Sequence, residues 1–345
     1  MLACVVHGVH DLRVEELPDP EPGPGETLVR IAYGGICGSD LHYYHRGGVG
    51  DFRLREPMVL GHEVVGTVAG HGAGGGDSVT GLPEGTPVAV HPARPCGRCR
   101  ECTSGRRNVC RDAGYLGSAA RFPHVQGGFA QLLAVPSDRV VPLPAGLGLE
   151  RAALAEPTAV ALHAVRRAGD VAGREVLVTG AGPIGCLVVV ALRAAGAGRI
   201  VVSDLVDEAL AVASAVGADA VVRADRPEDP AWPTEADVVV EASGSPAGLA
   251  SALAHVRRGG RVVALGLLPP GDSPVAGNLL VTREIELVGA FRFDAELADA
   301  VALLASADDV AAPVVTAVRP VKDAVEAIEL AGDRRRACKV LLDLS

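Results

Sequence analysis

Apolar positions along this chain follow two rhythms. From Leu2 to about Val141, short apolar runs (Leu28 to Tyr33, Val64 to Ala69, Val88 to His91, Phe129 to Val135) are broken by Gly and Pro, which predicts mostly β structure. Around Ala152 the texture turns Ala-rich and helical. A strict alternation follows: strand Glu175 to Thr179, helix Pro183 to Ala195, strand Ile200 to Ser203, helix Val206 to Val216. It continues through Val238 to Glu241, Ala247 to Val256, Val262 to Leu265 and Ile285 to Gly289. Strands alternating with helices predict βαβ units and a doubly wound parallel sheet, so the fold class is α/β with a second, mostly β domain. After Phe291 come helical stretches at Ala295 to Ala305 and Val321 to Ala331 and a last strand at Ala337 to Leu342, too little for a third domain. With no linker before it, this tail is expected to pack back on the first domain. Gly70 to Gly76 has no apolar period and reads as a flexible surface loop.

Length and composition agree with two domains. The 345 residues exceed one ordinary core, and 48% hydrophobic with 21% charged residues is a globular balance. Five Phe, four Tyr and one Trp leave Ala, Val and Leu to fill the interior. A formal charge of −10, with no basic block beyond Arg334 to Arg336, makes nucleic acid an unexpected partner. Met1 to His10 lacks the features of a signal peptide and no run is long enough to span a bilayer, so a cytoplasmic protein without membrane contact is expected. Four of the eight cysteines fall within fifteen residues, which in such a chain favours metal over disulfides.

Gly180-Ala181-Gly182-Pro183-Ile184-Gly185 follows an apolar strand and opens an apolar helix. Glycines in that context allow a tight turn, backbone approach to a pyrophosphate and close helix packing, while the helix N-terminus favours the anion. Asp204 ends the next strand nineteen residues after Gly185, where a carboxylate can take the adenosine ribose hydroxyls. Its charge would repel a 2′-phosphate, and no Arg or Lys follows until Arg223, so NAD is expected over NADP. The bland alternative is a Gly-rich turn and a solvated Asp in an unrelated α/β protein.

Cys96, Cys99, Cys102 and Cys110 give C-x2-C-x2-C-x7-C in a Gly/Arg-rich lobe with almost no apolar residues. Four thiolates around a tetrahedral zinc would hold such a lobe without a core. An iron–sulfur cluster fits less well, because the fourth cysteine lies too far along and Arg111, not Pro, follows it. A second constellation is scattered: Cys37 in Gly35-Ile36-Cys37-Gly38-Ser39-Asp40, His62 and Glu63 after Gly61, and Glu156 before Pro157. Singly these read as a small buried Cys or a solvated cap; together they can supply the three protein ligands and open position of a catalytic zinc. Cys4, Cys186 and Cys338 sit in apolar stretches and read as buried hydrophobes.

The two cysteine-bearing patterns and the glycine fingerprint occur in the order and spacing of the zinc-containing medium-chain alcohol dehydrogenases. The chain resembles that family over essentially its whole length, and Cys37 to Tyr44 with Pro57 to Glu63 is similar to its polyol dehydrogenase branch. The resemblance implies a GroES-like catalytic domain, residues 1–153 and 290–345, enclosing a Rossmann coenzyme domain, residues 154–289. It implies an active-site cleft between them, one catalytic and one structural zinc, NAD, and a homotetramer. Cys37 and His62 carry over as zinc ligands, with Glu63 as a third ligand and Glu156 bound directly or through water. Ser39 and His42 resemble a proton relay, and Phe291 and Arg292 are implied at the cofactor. Two departures from the family pattern, Thr86 where Asp is usual and the Gly-rich loop after Gly66, touch no implied ligand.

That chemistry implies hydride transfer from a secondary alcohol of a sugar acid or polyol. Tyr43, His45, Arg46, Arg53 and Arg292 are candidates to hold such a substrate, Arg292 first because a guanidinium fork matches a carboxylate. A neutral polyol remains the alternative. A non-catalytic nucleotide-binding protein is the reading from a different class, and the complete ligand set argues against it.

Overall fold

The computed structural model describes residues 1–73, 82–306 and 310–345. The alternating segment forms a six-stranded, all-parallel sheet. Numbered along this segment, its strands lie in the order 3-2-1-4-5-6, running outward from Glu175–Thr179 at the centre. The topological switch therefore falls between Glu175–Thr179 and Ala236–Glu241, the crevice where open α/β sheets take ligands. The central strands are apolar throughout because helices cover both faces: Val176, Leu177 and Val178 are all fully buried.

The β-rich portion forms a seven-stranded sheet around Glu26–Gly35. As expected, the tail returns to it: Lys339–Asp343 pairs antiparallel with residues 33–35, and Val315–Pro320 pairs parallel to Lys339–Asp343. The helix Leu297–Ala305 does otherwise, for its apolar face joins the core shared by helices Ala155–Ala168 and Pro183–Ala194.

Many elements fall within one or two residues of their expected places, but strand Val256–Ala264 starts six residues early, and strand Val315–Pro320 and helix Gly277–Thr282 were not expected. Strand Glu63–His71 runs past Gly70, so the expected loop starts later, and its residues 74–76 lie outside the described residues. Strand Ala220–Arg223 was too short to carry a period. A helix, Gly38–Arg46, interrupts the β region at the functional motif.

Candidate active site

The helix Gly38–Arg46 starts where it does because Asp40, at its third position, accepts the Cys37 backbone N–H at 2.9 Å. The same carboxylate accepts the Gly61 N–H at 3.2 Å, so one fully buried Asp ties together the two segments that carry Cys37 and His62. Gly61 itself needs a left-handed φ of 92°, and a Cβ there would meet Phe129 at 2.1 Å. Glu63 opposes Gly35 across the sheet, and a Cβ at Gly35 would come within 2.1 Å of its Oε2. Small residues at 35 and 61 thus leave room for the groups that face one another.

Those groups are Cys37, His62 and Glu63, whose ligand atoms lie within 4.8 Å of one another. Lys339 is buried beside them, its Nζ donating to both oxygens of Glu63 at 2.9 and 2.7 Å and to the Ile36 carbonyl at 3.0 Å. Glu156, at the start of helix Ala155–Ala168, is buried too; its Oε1 accepts the Tyr115 hydroxyl at 2.6 Å. Burial, with Glu63 nearby, pushes the Glu156 carboxyl up to about 7 against the pull of His62 and Tyr115. Burial disfavours the charged form of His62, yet Cys37, Asp40 and Glu156 outweigh it and hold the imidazole up at about 10. One sulfur, one imidazole and a carboxylate converging on one point are ligands zinc accepts. The residues fit the metal.

Arg292 closes one side of this pocket. Its guanidinium lies 3.9 Å over the Tyr115 ring and 4.7 Å over Phe291, and burial lowers its pKa while Tyr115, Glu156 and Tyr43 oppose the shift. Tyr43 is buried, with its hydroxyl accepting the Ala119 N–H at 2.8 Å. Ser39 and His42 stand three residues apart on one helix, both half-buried, and no hydrogen bond joins them. Arg46 and Arg53 are exposed, and His45 packs its ring against His10 and Tyr44. Phe291 is exposed, and its carbonyl accepts from Asn108 at 2.9 Å.

Cys96, Cys99, Cys102 and Cys110 also converge to within 4.8 Å. Two of the sulfurs accept backbone N–H groups at 3.4 Å, Cys99 to Cys96 and both Cys96 and Asp112 to Cys110, and backbone hydrogen bonds from Arg98 and Cys99 hold the Cys96 thiol down at about 6. Four thiols in a lobe of two-residue strands and single helical turns are the donor set of structural zinc.

At the crevice, Gly180 has φ 98° and a Cβ there would strike Ser243 at 2.7 Å, while one at Gly185 would lie 1.9 Å from the Gly180 carbonyl. Gly182, the cap of helix Pro183–Ala194, faces open space: a Cβ would meet nothing within 4 Å. Pro183 and Ile184 follow in its first turn, half-buried. That is the shape a pyrophosphate needs at a helix N-terminus. Asp204 is buried and accepts the Ala181 N–H at 2.7 Å, fastening the glycine turn to the next strand. Arg223 is held by Asp207 and Asp225, and the cation that meets Asp204 is Arg334, from the other end of the chain.

Sequence reasoning gave no role to Asp40, Tyr115 or Lys339. Only Asp40 had a local signal, an acidic residue three positions into a capped helix.

The chain matches the alcohol dehydrogenase GroES-like domain over residues 23–145 and the zinc-binding dehydrogenase family over residues 183–306. L-idonate 5-dehydrogenase (NAD(P)(+)) of Escherichia coli K12 is 41% identical across 99% of this chain and 98% of its own. Sorbitol dehydrogenase of Bacillus subtilis is 37% identical across 85% and 82%. The crystal structure of the Escherichia coli L-idonate 5-dehydrogenase has a TM-score of 0.91 at 39% identity, covering 99% of this chain and 97% of that one. Likeness of that degree over nearly every residue, around donors that suit zinc and a crevice that suits a dinucleotide, means that the chain belongs to the zinc-dependent, NAD-linked alcohol dehydrogenases.

Proposed function

We propose that the chain oxidises a secondary alcohol of a sugar acid, L-idonate to 5-keto-D-gluconate, with NAD as hydride acceptor. The observation that carries this is Arg292, held over Tyr115 one hydrogen bond from Glu156, where a substrate carboxylate can reach its fork. The 41% identity to L-idonate 5-dehydrogenase supports the same reading. The sorbitol dehydrogenases at 36–37% support a second one, a neutral polyol.

Cys37, His62 and Glu63 would hold the catalytic zinc with Glu156 facing it, and Cys96, Cys99, Cys102 and Cys110 the structural one. Bound there, the catalytic ion supplies Lewis-acid polarisation of the alcohol oxygen. Asp40 holds the Cys37 and Gly61 backbones in place, and Tyr115 orients Glu156. Gly180, Gly182, Pro183, Ile184, Gly185 and Asp204 would bind the dinucleotide, with Phe291 and Arg292 at the cleft. Ser39 and His42 would carry the proton outward. Burial, reinforced by Arg46 and His45, holds His42 below its ordinary 6.5, so it is neutral and able to accept at pH 7.

The test is NAD reduction with L-idonate, D-gluconate, sorbitol and xylitol, with and without chelator, for the wild type and His42→Gln. Chelator-sensitive turnover of L-idonate is expected. Loss of His42 should lower kcat roughly 100-fold, at the low end of acid–base contributions, and remove the fall in rate seen as acid protonates the imidazole. Preference for sorbitol would replace the substrate; an unchanged acid limb would remove His42 from the relay.

We place the reaction in the cytoplasm, a reducing compartment that suits the eight free thiols. We also propose a homotetramer, paired at Glu286–Gly289, an edge strand bonded on one side only, beside Val281, which is 77% exposed. Sedimentation should show Val281→Asp as a smaller species than the wild type; an unshifted tetramer would place the interface elsewhere.

A further inference from the structure

Two histidines and a glutamate from three separate elements meet at the surface, outside both metal groups described above. His10 lies in the turn between strands Leu2–Gly8 and Asp11–Glu16, His45 in the last turn of helix Gly38–Arg46, and Glu329 in helix Ala324–Gly332. One ligand atom from each lies within 4.8 Å of the other two. Among the described residues, neither imidazole has a hydrogen-bond partner and Glu329 has no ion-pair partner.

The convergence is held from beneath. His10 adopts φ 57°, a left-handed conformation uncommon for a residue with a Cβ, and its N–H bonds the Tyr44 carbonyl at 2.8 Å, which fastens the turn to the helix. The His10 and His45 rings then lie 5.1 Å apart, and the buried Tyr44 ring meets them edge-on at 5.0 and 4.9 Å. The Tyr44 hydroxyl donates to the Glu329 carboxylate, so one side chain positions all three groups. His45 Nε2 lies over the last turn of the glutamate's own helix, 3.8 Å from where a Cβ at Gly332 would stand.

We propose that His10, His45 and Glu329 form a third metal site, for a divalent transition ion such as zinc. Two imidazoles and a carboxylate are the protein ligands of an open zinc site, and nitrogen donors favour zinc over magnesium or calcium. An ion sits about 2.1 Å from each donor, so a small rotation of these exposed side chains closes the set around it. The hydroxyl of Tyr44 is the outer partner that orients the carboxylate, as metal-binding carboxylates require. His10 and Glu329 are exposed, which leaves the remaining positions to water. His45 and Glu329 also line a cavity of ≈ 850 Å³ with Arg334, Arg335 and Arg336, of which Arg334 is taken by Asp204. The other two guanidiniums repel a dication, so this site binds more weakly than the two thiolate-bearing ones and exchanges its ion with solution. When filled, it ties the His10 turn and the helix leading toward Lys339 to the helix that carries Ser39 and His42. It shares no residue with the dinucleotide crevice or with the Cys37, His62 and Glu63 group.

The protein holding its two tightly bound zinc ions, dialysed against a weak chelator, can be titrated calorimetrically with zinc chloride, which needs no turnover. The wild type should take up one further equivalent per chain, and its unfolding midpoint should rise as it does so. His45→Ala and His10→Asn should lose that equivalent and the rise; asparagine is chosen because it tolerates the left-handed φ at position 10. Tyr44→Phe should keep the equivalent but bind it roughly 10-fold more weakly, the lower range for an outer hydrogen bond. His7→Ala, which removes a different histidine lying 2.9 Å from Glu15, should bind as the wild type does. Three results would overturn the proposal: no further equivalent in the wild type, undiminished uptake by both His45→Ala and His10→Asn, or an equal loss from His7→Ala, which would mark the ion as adventitious only.

Discussion

Cys37→Ser will lose turnover and keep the dinucleotide. A serine hydroxyl is not ionised at neutral pH, so the substitution removes the one sulfur donor of the Cys37, His62 and Glu63 group. It does not threaten the helix, because serine is a favourable capping residue and Asp40 still receives the backbone N–H at position 37. A bound zinc contributes several kcal/mol of transition-state charge stabilisation, and roughly 1.4 kcal/mol is tenfold in rate, so kcat/KM should fall by about 10³-fold or more. The dinucleotide crevice is built on another sheet around Gly180, Gly182 and Gly185 and should bind NAD unchanged. Three measurements check this: kcat/KM, NAD binding, and metal content, which should drop by one zinc while the four-cysteine lobe keeps its own. Turnover within 10-fold of the wild type would move the catalytic metal to other residues.

The parts of this site that could be read from sequence share one property, which is that their residues are neighbours in the chain. The four-cysteine lobe and the glycine turn each close within fifteen residues, and each needs particular residue types, a metal-binding thiolate or a residue without Cβ. The parallel sheet was legible for a related reason, since strands covered on both faces become continuous Val/Leu/Ile runs. The pairs that finish the site are of another kind. Tyr115 and Glu156 lie 41 residues apart, Asp204 and Arg334 130, and Lys339 and Glu63 276. Nothing local distinguishes Lys339 from a solvated lysine. Only the antiparallel register of Leu341 against Gly35, and of Gly35 against Glu63, carries its ammonium into the interior. The same cause misplaced the charge around Asp204, where the search for a compensating cation ran along the chain and the cation came across the fold.

Lys339→Met will cost about 3–5 kcal/mol of folding stability in the metal-free protein, because it leaves Glu63 as a buried carboxylate without its partner. Both side chains are essentially excluded from solvent, at 3% and 1%, so water cannot take over. Denaturant unfolding measures the loss, and Lys339→Met combined with Glu63→Gln should lose less than the single variant, since no buried charge is then stranded. Repeating the measurement with zinc bound makes the same variant report on coordination. If Glu63 is a ligand, the metal replaces the ammonium as its counter-charge and most of the penalty disappears on loading. If Glu156 is the ligand instead, Glu63 remains stranded and the penalty persists with zinc present. A loss below about 1 kcal/mol in both forms would mean that the pair is not what holds the last strand against the metal-binding segment.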